Sequence, residues 1–350
     1  MKSSKQISVL VTGGAGAIGT WVTRNLVERG IHPVVYDLIP PGPYLVDMIN
    51  KVTFVEGDIL DLDKLTSVIK KEAVQSILHM AKYTPQQQPL VALKSNVMGS
   101  ANVLEAARVN GVKRVVFTSS KSVYGHIEAR QGEFPMITND HPKFDREFPG
   151  YIPYYSLTNK MVEYFGIRFA MDFNMEFVIT RFGSTWGPGK MDMRRRKAKQ
   201  TGASGKEDID VINVAPDFVC LMIDYAIEGK PFKLPFGRDQ KDNLVYFKDI
   251  SDGMVLAAIS DKICFTGNHR EFHFDAGKAI SLAEVLEAVK RHIPGTQIEL
   301  GPGILAKRKH PVIQCIFDLS REKNELGYSP KYADLDLALA DYIKMKKKFG

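Results

Sequence analysis

The sequence predicts an α/β fold built on a parallel, doubly wound sheet with a smaller C-terminal lobe, and three observations carry that prediction. A β-branched run (Ile7, Val9, Val11) meets three glycines, Gly13, Gly16 and Gly19, and an amphipathic helix opens behind them with Ile18, Val22 and Leu26 one turn apart. Short apolar strands then alternate with helical patterns, as parallel pairing requires. The 350 residues are enough to bury one large α/β unit and a smaller lobe.

In chain order, Pro33–Asp37 reads as a second buried strand. A loop rich in Pro and Gly (Pro40, Pro41, Gly42, Pro43) separates it from a third, Val52–Glu56. Leu62–Lys71 is helical in pattern, Ser76–His79 a short strand, Ala92–Asn110 a helix and Arg114–Ser119 a strand. Beyond about Gly183 the composition changes. The run from Lys190 to Lys206, with Arg194, Arg195, Arg196, Lys197 and Lys199, is basic and almost without apolar residues, which predicts a mobile solvated loop, with a lid over an anionic substrate as the alternative. Helical patterns return at Ala215–Gly229, Asp249–Ser260, Leu282–His292 and Leu335–Lys348, with strand candidates at Phe272–Phe274 and Gln297–Leu300. The expected division is a sheet domain over residues 1–182, joined by sheet segments from about 236–276, and a lobe formed mainly by 183–350.

Composition excludes several function classes. Lys and Arg outnumber Asp and Glu by seven, which could favour an anionic ligand but makes no concentrated basic face for nucleic acid. Cys220, Cys264 and Cys315 are odd in number and far apart, so neither a disulfide framework nor a metal site is expected, and a reducing cytoplasm is. No signal-like or membrane-length apolar segment interrupts the chain.

The glycine turn has a chemical reading. Without Cβ atoms, backbone N–H groups and the positive end of the following helix can approach a pyrophosphate. Asp37 closes the second strand at about the ~20-residue distance at which an acid bonds an adenosine ribose diol, which favours NAD over its 2′-phosphorylated form. Asp58, with Ile59 after the third strand, is placed to meet the adenine.

Two further stretches make the reading specific: Val115–Gly125 (Val-Val-Phe-Thr-Ser-Ser-Lys-Ser-Val-Tyr-Gly) and Pro153–Glu163 (Pro-Tyr-Tyr-Ser-Leu-Thr-Asn-Lys-Met-Val-Glu). With the glycine turn, His79-Met80-Ala81, Asn96-Val97-Met98-Gly99, Gly187-Pro188-Gly189, Val245-Tyr246-Phe247-Lys248-Asp249 and Leu326-Gly327-Tyr328-Ser329-Pro330, the chain resembles the extended short-chain dehydrogenase/reductase superfamily. Its NAD-dependent epimerase/dehydratase group, which includes nucleotide-sugar epimerases, is the part it is most similar to. The resemblance implies a Rossmann domain, NAD as cofactor, a sugar-like substrate and a homodimer formed through helices matching Ala92–Asn110 and Tyr155–Phe173. It places Gly13, Gly16, Ala17, Ile18, Gly19, Met80, Ala81, Lys82, Asn96 and Ser119 with Asp37, Asp58 and Ile59 on the cofactor, and Lys82, Ser122, Arg181, Ser184 and Arg238 on the substrate side.

By position, Ser120 and Tyr155 match the family's catalytic serine or threonine and tyrosine. A hydride leaves a secondary alcohol only if its hydroxyl proton leaves too, and a tyrosinate removes that proton once its pKa falls from about 10 toward neutrality. The family lysine four residues after the tyrosine is here Asn159, which also reaches the cofactor side. Lys160 lies about 140° around the helix from Tyr155, against about 40° for position 159. Three accounts follow. Asn159 holds the ribose while Lys121 or Lys82 lowers the tyrosine pKa; or an irregular helix start turns Lys160 inward; or the protein binds NAD more than it uses it.

Other departures narrow the reaction. Lys121 and Ser122 stand where dehydratases of the family carry an Asp-Glu pair. Asp242 and Asn243 stand where a diphosphate-clamping arginine is usual, with Arg238 and Lys241 close by. A second basic cluster is Lys307, Arg308, Lys309 and His310. Epimerisation, with the hydride returned, is the expected outcome; the alternatives are a dehydrogenase releasing a keto product with NADH, and a non-catalytic NAD-binding protein.

Overall fold

The computed structural model describes residues 7–82, 88–125, 133–142, 153–200, 215–304 and 315–350, with the backbone alone over 196–200. Its centre is a seven-stranded sheet: β1 (Ser8–Thr12), β2 (His32–Asp37), β3 (Thr53–Glu56), β4 (Ser76–His79), β5 (Arg114–Thr118), β6 (Glu176–Phe182) and β7 (His269–Phe274). The spatial order is β7-β6-β5-β4-β1-β2-β3, every neighbouring pair parallel. The register brings Val11 level with Val35 and Leu78, so the carboxyl ends of β1, β2 and β4 finish together.

The period-two alternation of each strand sends its side chains to two different cores. Val9, Val11, Leu78, Val116 and Val178 meet the helices α1 (Gly19–Glu28) and α7 (Phe247–Ile259) through Trp21, Val22, Leu26, Ile250 and Met254. Leu10, Val34, Tyr36, Ile77, Val115 and Phe117 meet α2 (Leu62–Lys71), α3 (Gly99–Val109) and α4 (Tyr154–Phe173) on the opposite face. Covering both faces is what a doubly wound parallel sheet needs, and it explains strands that are apolar throughout. Packing against the sheet is close: a Cβ on Gly166 of α4 would lie 2.2 Å from the Phe177 ring.

A third core belongs to the lobe. α6 (Ala215–Ile227) is apolar nearly all round, and Phe218, Val219, Leu221, Met222 and Ile223 are buried between it, α8 (Leu282–His292) and α10 (Leu335–Phe349). A short strand pair stitches the lobe to the sheet domain, Ser184–Trp186 running parallel to Leu244–Tyr246, and within the lobe Phe232–Leu234 runs parallel to Ile298–Leu300. α9 (Ser320–Leu326) packs by β7 and α7. Cys220 and Cys315 are buried thiols and Cys264 an exposed one. Among the described residues no helix is long and apolar enough to cross a membrane.

Two expectations change. The helix expected as one piece from Ala92 begins at Pro89 and carries a π-turn over Leu93–Met98 before α3, and this widened turn holds Asn96 buried. The basic run from Lys190 is a helix, α5 (Lys190–Gln200), and not a loop in its described part. Lys190 and Arg194 stand one turn apart and both reach the fully buried Asp217 of α6, at 3.3 and 2.5 Å, so these cations are ion-paired to the lobe's core. The remainder of the run, 201–206, and the Lys307 to His310 cluster lie outside the described residues.

Candidate active site

The turn after β1 is held by contacts that leave no room for side chains. Gly13 has φ +72°, donates its N–H to Tyr36 O at 2.9 Å, and a Cβ there would sit 2.7 Å from Ala81 N. A Cβ on Gly19 would lie 2.2 Å from Gly13 O. Just before α1, the N–H groups of Ala17 and Ile18 have no acceptor among the described residues, the arrangement that receives an anion at a helix start. The Asp37 carboxylate accepts the Ala15 N–H at 2.9 Å, which fixes it at the turn's rim. A cavity of about 170 Å³ opens beside the turn, lined by Ala15, Ala17, Thr20, Trp21, Tyr44 and Pro188. Trp21 Nε1 donates to Pro188 O at 3.1 Å, bringing the Gly187-Pro188-Gly189 stretch over this end. Donors for an anion, a carboxylate for a diol and a glycine turn free of side chains all fit a dinucleotide.

Asp58 stands at the end of β3, its carboxylate accepting the Leu60 N–H at 2.9 Å, and the neighbouring Ile59 is buried against Gly99. Asn96 donates to Thr158 Oγ1 at 3.2 Å, tying the π-turn to α4. Thr12 is a member the sequence reading missed. Its hydroxyl meets His79 Nδ1 at 2.7 Å and accepts the N–H groups of Met80 and Ala81, which joins the ends of β1 and β4. A threonine immediately before the glycines was the available signal. His79 Nε2 lies 2.8 Å from Ser100 Oγ, and burial pushes the imidazole down to about 3, so it serves as a neutral hydrogen-bonded strut.

The chemistry-bearing groups meet beyond β5. Ser120 accepts the Ser122 N–H at 3.2 Å, and its hydroxyl is near enough to the Tyr155 phenol to favour its ionisation. Tyr155 is half-buried; burial raises its pKa, while the hydrogen bonds from Ser120 and Asn159 lower it. α4 starts regularly at Tyr154, and the side chain that turns back is Asn159, whose Nδ2 donates to Tyr155 O at 2.9 Å. Asn159 Oδ1 in turn accepts from Lys82, whose ammonium also donates to Thr118 O. That ammonium lies 4.4 Å from the Phe117 ring centroid and 5.8 Å from that of Tyr155. Burial pushes Lys82 down to about 7.

Lys121 is elsewhere engaged. Its Nζ donates to Ser184 Oγ and to Asp242 Oδ1, both at 2.9 Å, and to Asn243 Oδ1. Of the two cations expected as alternatives to lower the tyrosine pKa, Lys121 is thus drawn away, its charge met by the buried Asp242. Asp242 and Asn243 stand where a clamp was sought, and their oxygens hold this lysine. The Ser122 hydroxyl is buried without a partner among the described residues, and Arg238 is exposed at the turn before Lys241–Asp242.

Arg181 is a second correction. It is 0% exposed, donates two hydrogen bonds of 2.9 Å to the Glu163 carboxylate and one of 2.6 Å to Tyr124 Oη, and so presents nothing to a substrate. β6 alternation puts residue 181 inward, and only a carboxylate from α4 makes an arginine tolerable there. The same carboxylate accepts from Ser119, so the Glu163 to Arg181 pair fixes the strand end that carries Ser120.

The profile of the NAD dependent epimerase/dehydratase family matches residues 9–262. A UDP-glucose 4-epimerase of Lactobacillus helveticus is 25% identical over 351 residues, covering 97% of this chain and 97% of its own. The UDP-glucose 4-epimerase of Thermotoga maritima, solved with UDP-glucose, superimposes with a TM-score of 0.75 at 21% identity, over 98% of this chain and 99% of its own. That of Brucella ovis, solved with NAD, gives 0.73 at 23% identity, over 95% and 96%. With a seven-stranded Rossmann sheet and a family match across most of its length, the chain belongs to the NAD dependent epimerase/dehydratase family.

Proposed function

We propose that this protein is an NAD-dependent epimerase of a nucleotide-linked sugar, acting at a secondary alcohol of the sugar. The observation that carries the reading is the placement of Ser120 just past β5 and of Tyr155 in the first turn of α4, at the same carboxyl edge of the sheet as the glycine turn and Asp37. Ligands of doubly wound sheets bind along that edge. NAD, when bound, supplies the carbon that accepts a hydride and returns it.

This chain's residues handle the rest. Gly13, Gly16, Gly19 and the N–H groups of Ala17 and Ile18 receive the pyrophosphate, and Asp37 the ribose diol. Tyr155 takes the hydroxyl proton of the sugar, and Ser120 holds the same oxygen while its charge changes. Removal of such a proton by a placed side chain contributes about 10²–10⁴-fold to rate. Relatives named as UDP-glucose 4-epimerases support a uridine diphosphate sugar as the substrate class. The exposed Tyr154, Leu157, Met161, Tyr164 and Phe165 of α4, beside the exposed Leu90, Val91 and Leu93, support a homodimer through that face.

The test is to incubate the purified protein with catalytic NAD and separate UDP-glucose and UDP-galactose, then the N-acetylated and uronic acid counterparts. Interconversion of a pair without NADH accumulation is the expected result. Stoichiometric NADH with a keto product would make it a dehydrogenase, and no change in any sugar with NAD tightly bound would overturn the catalytic reading.

A further inference from the structure

Tyr155 sits in a place that works against its ionisation, since burial favours the neutral phenol. A base there needs a positive charge nearby, and the residues around it identify one. Lys82 leaves the end of β4, crosses the end of β5 and brings its ammonium 5.8 Å from the Tyr155 ring centroid. Its two hydrogen-bond acceptors among the described residues, Thr118 O and Asn159 Oδ1, are uncharged.

We propose that Lys82 supplies the charge that holds the Tyr155 phenolate, with Asn159 as the arm that orients the ammonium. The inference rests on Tyr155 acting as the base. Asn159 ties Lys82 to the first turn of α4: Oδ1 accepts from Lys82, and Nδ2 donates to the backbone carbonyl of Tyr155 at 2.9 Å. In the step itself the substrate O–H breaks and the Tyr155 O–H forms, while Lys82 keeps its proton and its charge passes from balancing a phenolate to facing a phenol.

The groups packed round this ammonium leave its charge available. From α4 they are Tyr155, Asn159 and Glu163, and the Glu163 carboxylate is already shared by Arg181 and Ser119. From β5 they are Phe117, whose ring face lies under the ammonium, Thr118 and Ser120 beyond it. From β4 comes His79, kept neutral by burial. Buried alone, Lys82 releases its proton easily; beside a phenolate it keeps it, so the two titrate as a pair.

The experiment uses protein labelled with ¹³Cζ tyrosine, with and without saturating NAD, titrated by NMR; the signal absent from Tyr155→Phe belongs to Tyr155. In Lys82→Met and Lys82→Gln, either of which suffices if the other does not fold, the phenolate fraction at a given pH should fall at least ~10-fold, one pKa unit upward. Lys82→Arg should stay close to the parent. The double variant Lys82→Met with Asn159→Lys, which returns the charge from the helix, should regain the titration and, for an active enzyme, turnover to within about 3-fold. An unmoved Tyr155 titration in both neutral variants overturns the proposal. Because the titration needs no substrate, a failure of the epimerase reading would show separately, as turnover missing from the parent while the Tyr155 shift is present.

Discussion

Two lysines follow strand ends of the same sheet, and their surroundings could hardly differ more. Lys121, after β5, faces Ser184, Asn243 and the buried carboxylate of Asp242. Lys82, after β4, faces an amide oxygen, a carbonyl oxygen and an aromatic ring. One charge is neutralised in place and serves to join the end of β5 to the lobe. The other has uncharged hydrogen-bond partners among the described residues, which is what the proposed role beside Tyr155 asks of it. From sequence the two were equivalent candidates; the carboxylate decides between them.

The sharpest way to break this contrast is to remove the group that Lys82 is argued to serve. Tyr155→Phe should lower turnover about 10³-fold with NAD affinity unchanged, within the range for a lost acid–base group. If turnover survives, the Lys82 site has no client. Next, Lys121→Met should destabilise the fold by about 3 kcal/mol in urea unfolding, because it takes the Lys121 ammonium from the buried Asp242 carboxylate. Asp242→Asn in the same chain should recover much of that loss, whereas turnover per folded molecule should change only a few-fold.

Asp37→Ala should weaken NAD about 10-fold, roughly the worth of a charge-assisted hydrogen bond, without altering how either lysine variant behaves. A last effect is a pH dependence of stability. The Lys82 ammonium is pushed down to about 7 in the folded chain, against about 10.4 when unfolded, so the unfolded state holds the extra proton between those values. Stability of the parent relative to Lys82→Met should therefore rise as pH climbs from about 7 toward 10 and level off below 7. A flat difference would show that Lys82 is not held in a desolvated site.

Much of the fold was readable because local patterns and global fold agree. The alternation of apolar strands and helices, the glycine turn and the position of Asp37 follow from steric and periodic rules that act over a few residues. The helices Leu62–Lys71 and Leu282–His292 appear with the bounds their periodicity predicts, the second closed by a capping box between Ser281 and Glu284. The helical angle predicts that position 159, and not 160, turns toward Tyr155; the Asn159 amide reaches back to the Tyr155 backbone carbonyl and to Lys82.

What depended on tertiary structure is wherever a charge met its partner. A basic stretch read as solvated became the start of α5 because Asp217, from another helix, is buried within reach of both Lys190 and Arg194. Arg181, expected to face a substrate, is sealed against Glu163. The sequence by itself determined the sheet and the glycine turn, since each is written in short-range spacing, while Ser120 and Tyr155 were singled out by the family resemblance. Which lysine meets a carboxylate and which meets uncharged oxygens was decided only by folding, because the energy of a buried charge depends on neighbours brought from far along the chain.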